Sequence, residues 1–188
     1  MTSPQPDLDW LILGGGPHGV HLAARLLAEK KVDPARLRLV DPAPRLLARW
    51  RACTQRVGMR HLRSPSVHHL DLDPWSLQRF AGQRRQRKRN PFAPPYNRPS
   101  LELFNAHSDH VIQTYALDAL HLRARAQRIE PRDGGFCVHT DLGPIWTRRL
   151  LLAMGASDHL AMPDWATPAL HPHIHHIYEP APLPDALQ

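Results

Sequence analysis

Trp10-Leu-Ile-Leu-Gly-Gly-Gly-Pro-His-Gly19 decides the fold. Leu11, Ile12 and Leu13 read as a parallel strand buried on both faces. Glycines follow at 14, 16 and 19. From Pro17 to Lys31 the pattern turns helical, with Val20, Ala23, Ala24 and Leu27 at i, i+3, i+4 and i+7. Pro17 suits a first helical turn, where its missing N–H costs nothing, and Lys30 and Lys31 suit the negative end of the helix dipole. In such a loop Gly14 makes the tight turn, Gly16 lets the backbone approach phosphates, and Gly19 lets helix and strand pack closely. The spacing therefore predicts a strand–loop–helix unit whose free N–H groups, with His18 beside them, meet a dinucleotide pyrophosphate.

Working outward, Leu37-Arg-Leu-Val40 is a second strand ending in Asp41. A carboxylate about 20 residues past the loop accepts hydrogen bonds from a ribose 2′-OH and repels a 2′-phosphate, which disfavours NADP at this site. The alternative is a glycine turn in an ordinary βαβ unit, with Asp41 a surface turn residue.

Composition narrows the class. The 188 residues suffice for one medium domain with a core, or a domain with a small insert. Hydrophobic content of 42% fits a soluble globular protein. No apolar run is long enough to span a bilayer, and the polar start Met-Thr-Ser-Pro-Gln-Pro-Asp does not read as a signal peptide, so a cytoplasmic location away from membranes is expected. Cys53 and Cys137 are isolated and form no C-x-x-C, so they read as reduced structural cysteines, with no metal site expected. The net charge is +7, and Arg84-Arg-Gln-Arg-Lys-Arg89 holds five of the 24 basic residues. That run reads as a solvated loop rather than a nucleic-acid contact, because no aromatic side chains are interleaved for base stacking.

Further along, 44–51 reads as a short helix, 52–99 is loop-rich with one helical turn at 77–80, and Ser100 caps a helix running to about Leu117. Residues 119–126 alternate as a strand. Turns at Asp133-Gly-Gly135 and Asp141-Leu-Gly-Pro144 separate strands at 136–140, 145–147 and 149–154, the last leading into Gly155. Past 160 the chain is rich in proline and histidine, and there is no second Gly-x-Gly-x-x-Gly.

With these elements placed, the chain resembles the FAD domain of two-dinucleotide-binding-domain flavoproteins, nearest the flavin-dependent N-hydroxylating (lysine/ornithine-type) monooxygenases. The likeness rests on the Gly14–Gly19 loop with Asp41, on Arg49-Trp50 followed by Gly58-Met-Arg-His-Leu-Arg-Ser-Pro65, on Ala126 to Ile129 before a meander, and on Leu151-Leu-Ala-Met-Gly155. The last is similar to the Ala-Thr-Gly motif that closes the FAD site in these enzymes, with Met154 in place of Thr. The resemblance implies an α/β, Rossmann-like FAD-binding domain with a parallel sheet, a three-stranded β-meander and a loop-rich helical insert. It would span 8–165, with the insert at about 52–117.

The resemblance also implies FAD as cofactor. It places Trp50, Met59, His61 and Ser64 near the flavin ring and the Ala126 backbone by the adenine. The competing reading of those side chains is loop packing, with Trp50 a core anchor and His61 a surface residue. No catalytic base stands out. Family enzymes continue into a second Rossmann domain for NADPH, and Ile177-Tyr-Glu-Pro180 within the 166–188 tail resembles the junction to it. The chain is thus expected to be a fragment, a split half or a shortened paralogue, with NADPH or NADH as reductant only if a second domain or partner chain supplies the site. A non-catalytic FAD- or NAD-binding module is the first alternative, and an anionic-partner binder through 84–89 the second. The histidine clusters His68-His69 and His171-Pro-His-Ile-His-His176 lack a cysteine or carboxylate at ligand spacing, and His107 and His110 read as ordinary helix-surface residues.

Overall fold

A computed structural model describes residues 6–67, 69–83, 90–155, 160–167, 174, 176, 178 and 179. The basic run 84–89, His68, and His171, His173 and His175 lie outside the described residues. The elements run in the order β1 (Leu8–Leu13), α1 (Pro17–Ala28), β2 (Leu37–Asp41), α2 (Ala48–Arg56), α3 (Ser76–Gln83), β3 (Phe92–Ala93), β4 (Arg98–Pro99), α4 (Leu101–Thr114), β5 (His121–Arg123), β6 (Ala126–Arg132), β7 (Gly135–Thr140) and β8 (Gly143–Leu152), with two short 3-10 turns at 34–36 and 117–120.

The main sheet has six strands in the order β5-β2-β1-β8-β7-β6. β5, β2, β1 and β8 are parallel, with Ile12 beside Leu39 on one side and Leu151 on the other. β8, β7 and β6 form an antiparallel meander. The α/β class, the parallel sheet and the three-stranded meander are therefore as expected from the sequence.

Burial explains the positions of the helices. Val20, Ala23 and Ala24 of α1 are fully buried and pack with Ile12, Leu37 and Leu39 on one sheet face. Small side chains at 19, 23 and 24 let the helix axis lie close to β1. α4 adds Leu103, Phe104, Val111 and Ile112 to the same core, and each such side chain contributes roughly 1.5–3 kcal/mol when fully buried. Ser100 caps α4 by accepting a hydrogen bond from the Leu103 N–H at 3.2 Å, as its position predicts.

The second face carries a smaller cluster of Leu8, Leu11, Leu13 and Val40 with Ala124 and Val138. Topology accounts for it. β5 and β6 lie at opposite edges of the sheet, yet only Ala124 and Arg125 join them. So short a link requires the meander to curl back over the parallel strands, which carries Val138 onto their second face.

The same link corrects one expectation. Residues 119–126 are not a single strand: the chain passes through the 3-10 turn, the short β5, a two-residue link, and then β6. The Arg125 N–H donates to the Asp141 carboxylate at 2.8 Å and the Asp141 N–H to the Arg125 carbonyl at 3.2 Å, which fixes the turn-out. Conversely, the strands expected at 145–147 and 149–154 are one continuous β8, which stops at Leu152 and leaves Ala153 and Met154 beyond the strand. The helix expected at 44–51 starts later, at Ala48, because Leu47 is left-handed (φ 62°) and gives its N–H to the Gly15 carbonyl. The turn at 77–80 extends to all of α3.

His107 is a second correction. It is 1% exposed rather than on the helix surface, sits edge-on to Phe80, and pairs through Nε2 with the Ser76 hydroxyl at 3.1 Å. Burial pushes its pKa down to about 4, with His69 and His110 adding to the fall and Asp71 opposing it. The fold accommodates the neutral ring, so the unfolded chain takes up the proton first as pH drops. The stabilisation is complete above an unperturbed imidazole pKa of about 6.5 and is lost as pH falls from there through about 4. Between pH 7 and 5.5 this one group should remove about 1 kcal/mol. Urea unfolding at the two pH values should show that loss in the parent chain and not in His107→Gln, which cannot titrate.

Candidate functional site

The site is built where β1, β2 and β8 end side by side. Gly14 adopts φ +111°, and a Cβ there would stand 2.4 Å from the Ala153 carbonyl oxygen. Its N–H bonds to the Val40 carbonyl at 2.8 Å, while the Ala153 N–H bonds to the Leu13 carbonyl at 2.8 Å. The turn after β1 is thereby clamped to both neighbouring strands. Gly19, on the first turn of α1, lies against the Gly14 carbonyl so closely that a Cβ would come within 1.9 Å of its oxygen.

Gly16 differs from both. It is the N-cap of α1, extended at φ −77° and ψ −175°, with no side chain to cap the helix and nothing within 4 Å of where a Cβ would stand. The first-turn N–H groups have no intrahelical acceptors, Pro17 removes one of them, and no acidic residue lies in that turn. His18 is exposed beside it. Open space, unspent donors and the positive end of a 12-residue helix fit an anionic group such as a pyrophosphate.

Asp41 ends β2 with its side chain engaged by the loop. Oδ2 accepts the Gly15 N–H at 2.7 Å and Oδ1 accepts the Ala43 N–H at 2.8 Å. A carboxylate offers about four lone-pair directions, so one remains on each oxygen for a ligand. Gly15 is a residue that the Gly-x-Gly-x-x-Gly pattern passes over. A Cβ at Gly15 would stand 2.9 Å from Leu46 Cδ2 and 3.1 Å from Asp41 Cβ. Its signal in the sequence is that it fills the gap in an unbroken run of three glycines, 14 to 16.

At the end of β8, Met154 is 58% exposed and Gly155 takes φ +65°. Gly14, Gly16, Pro17, His18, Gly19, Asp41, Met154 and Gly155 are thus brought together by the three strand ends. Ala126 opens β6, opposite Thr140 and next to a bulge. Trp50, on α2, packs its ring against Phe104 with centroids 5.4 Å apart and joins the edge of the core. Its indole Nε1 is buried without a protein partner.

Met59, His61 and Ser64 sit on an irregular segment after α2. The Met59 N–H bonds to the Thr54 carbonyl at 3.0 Å, and His61 bridges to Ser100 across the start of α4. His61 and Ser64 are exposed. Arg56, at the end of α2, is 7% exposed in its side chain and reaches the Glu179 carbonyl at 2.6 Å. That contact ties the far end of the described chain to the segment preceding Met59.

Among the described residues no helix is long and apolar enough to cross a membrane. A family model described as FAD-NAD(P)-binding matches residues 11–157. Comparison with curated proteins gives no match. Among solved structures, the flavin-containing monooxygenase from Stenotrophomonas maltophilia aligns with a TM-score of 0.56 and 20% identity, over 85% of this chain and 42% of that one. OTEMO in complex with FAD and NADP aligns at 0.58 with 13% identity, over 86% and 28%. An oxidized steroid monooxygenase bound to NADP aligns at 0.54 with 17% identity, over 78% and 26%. At these identities the likeness is one of fold, and the chain spans less than half the length of each.

Proposed function

We propose, from the premise that this chain belongs to the FAD-NAD(P)-binding family, that it is the FAD-holding part of a flavin monooxygenase acting on a small molecule. The observation that carries the reading is the open, uncapped start of α1 at Gly16, set beside Asp41 on a sheet that continues into a meander. Gly14, Gly16, Pro17, His18 and Gly19 receive the pyrophosphate. Asp41 turns its free lone pairs to the ribose, the Ala126 backbone serves the adenine, and Met154-Gly155 closes the site. Trp50, Met59, His61 and Ser64 would line the flavin ring.

Bound flavin supplies the redox chemistry with O₂; this chain's residues bind it, orient it and keep water from it. Within the class, Arg49-Trp50 and Gly58–Pro65 favour the N-hydroxylating branch, while the neighbours' own names, flavin-containing and steroid monooxygenase, speak for the broader group. The FAD-binding unit is taken as 8–165 with the insert at about 52–117, and 166–188 as the junction to a reductant domain. NADPH or NADH then reaches the flavin through a second domain or a partner chain, since the sequence holds one Gly-x-Gly-x-x-Gly only. A cytoplasmic location goes with this reading.

The purified chain should be yellow, or become so on titration with FAD, at one flavin per chain. It should consume negligible NADPH or NADH by itself. A chain that stays colourless at saturating FAD overturns the flavin assignment, and steady NADPH consumption by the chain alone overturns the need for a second unit.

A further inference from the structure

We propose that Glu130, Cys137 and His139, on the meander, form a three-ligand site for a divalent transition-metal ion of the zinc type. The Glu130 carboxylate, the Cys137 thiol and the His139 imidazole each offer one ligand atom, and these atoms all lie within 4.8 Å of one another. His139 Nε2 is 3.1 Å from Glu130 Oε2 and 3.8 Å from Cys137 Sγ. Ligand atoms on a tetrahedral zinc, with bonds of about 2.0–2.3 Å, stand roughly 3.3–3.8 Å apart, so the two separations from His139 already match and the carboxylate and thiol, at most 4.8 Å apart, need only close on each other.

Strand register explains the convergence. Cys137 and His139 are two apart on β7 and share a face. Glu130 on β6 stands directly opposite Cys137. The neighbour between them, Val138, points the other way into the core, so β7 is pinned and its outer face is preorganised. The backbone would not have to rearrange on binding.

The chemistry of the three groups is complementary. Without an ion, one imidazole nitrogen serves both the carboxylate and the thiol, and its single proton can satisfy one of them. An ion takes its place with atoms and charge in balance. The thiol proton leaves to solvent, the imidazole carries its proton on Nδ1, and thiolate plus carboxylate neutralise the 2+ charge. The mixed N, S and O donor set suits zinc over magnesium or calcium, and the fourth tetrahedral position stays open to water.

Competition is visible as well. Arg128 reaches Glu130 Oε1 at 2.5 Å and His139 Nε2 at 3.4 Å, and Arg132 reaches Glu130 Oε2 at 3.2 Å. The hydrogen bonds from His139 and Arg132, with the charge of Arg128 beside them and burial opposing, hold the Glu130 carboxyl below the usual carboxylate range. Both arginines are more than half exposed and can swing into solvent. They weaken the site without closing it.

The test is titration of the full chain with Co²⁺ under reducing, chelator-free conditions. Difference spectra should show a thiolate-to-cobalt charge-transfer band saturating at one equivalent and bleached by Zn²⁺. Cys137→Ser should abolish the band with flavin content unchanged. His139→Ala and Glu130→Gln should each weaken binding at least about tenfold. Arg128→Ala should tighten it, by about two- to fivefold, since it removes an exposed competitor. The His-rich segment 171–176 contains no cysteine and cannot give that band. A band that survives Cys137→Ser, no band at all, or zinc retained equally by parent and Cys137→Ser would overturn the proposal.

Discussion

Gly19→Ala should cost this chain both its loop and much of its stability. The added methyl would lie 1.9 Å from the Gly14 carbonyl oxygen and 3.0 Å from its carbon. Both are backbone atoms of a turn already held by Val40 and Ala153, so neither can yield as a side chain would. Overpacking in an adaptable core typically costs about 1–3 kcal/mol. Here the contact is rigid on both sides, and a loss of about 3 kcal/mol or more is expected, a large share of a typical total of 5–15. α1 must lift from β1, which carries its N-terminus away from any bound phosphate, so FAD affinity should fall by two orders of magnitude or more, about 3 kcal/mol. Gly16→Ala is the control. Its methyl meets nothing in the protein, so stability should drop by no more than about 1 kcal/mol while FAD binding still weakens. Equal urea midpoints for Gly19→Ala and the parent would mean that the close approach of helix and strand is not needed.

Asp41→Ala should give the next largest effect. It removes the acceptor for two backbone N–H groups, those of Gly15 and Ala43, in one step. Hydrogen bonds to a charged partner are worth roughly 1.5–3 kcal/mol each, and partial exposure lets water recover part of that. A destabilisation of about 2–4 kcal/mol is expected. Asn at this position keeps one acceptor oxygen and turns an NH₂ toward the other N–H, so its loss should be intermediate. Flavin affinity should fall further than stability in both variants if the carboxylate also holds the ribose. Urea unfolding beside a flavin-binding titration separates the two roles. A parent-like unfolding midpoint for Asp41→Ala would show that Leu46 and the Leu47-to-Gly15 bond suffice to hold the loop.

Much of this architecture was legible in the sequence, and the reasons are local. The β1–α1–β2 unit announced itself through an apolar run, fixed glycine spacing and a 3.6-residue stripe, all readable without knowing what packs where. Ser100 was readable for the same reason, because its oxygen bonds within its own helix. The failures are non-local. His107 could be placed only by knowing that α3 lies across α4 and supplies Ser76 and Phe80. Residues 119–126 alternate like one strand, and only the position of β5 and β6 at opposite sheet edges forces the break. From the sequence Asp41 reads as a ligand for ribose, and its grip on the glycine loop depends on how closely β1 and β2 end. Glu130 is seven residues from Cys137 in the chain, and only the β6–β7 register sets them face to face, although Cys-x-His on a strand was half the signal.

β8 has a bearing on how the molecule is made. Among the described residues it is the last strand, yet it lies beside β1, the first, at the centre of the sheet. The glycine turn rests on Ala153, which 138 residues separate from Gly14. During vectorial synthesis β1 therefore emerges without its neighbour and waits, with one edge unpaired, until the meander has followed. Pairing of such distant segments is slow to nucleate. The cradle at the glycine turn thus comes into being only after the polypeptide through Ala153 has emerged and β8 has found its place beside β1.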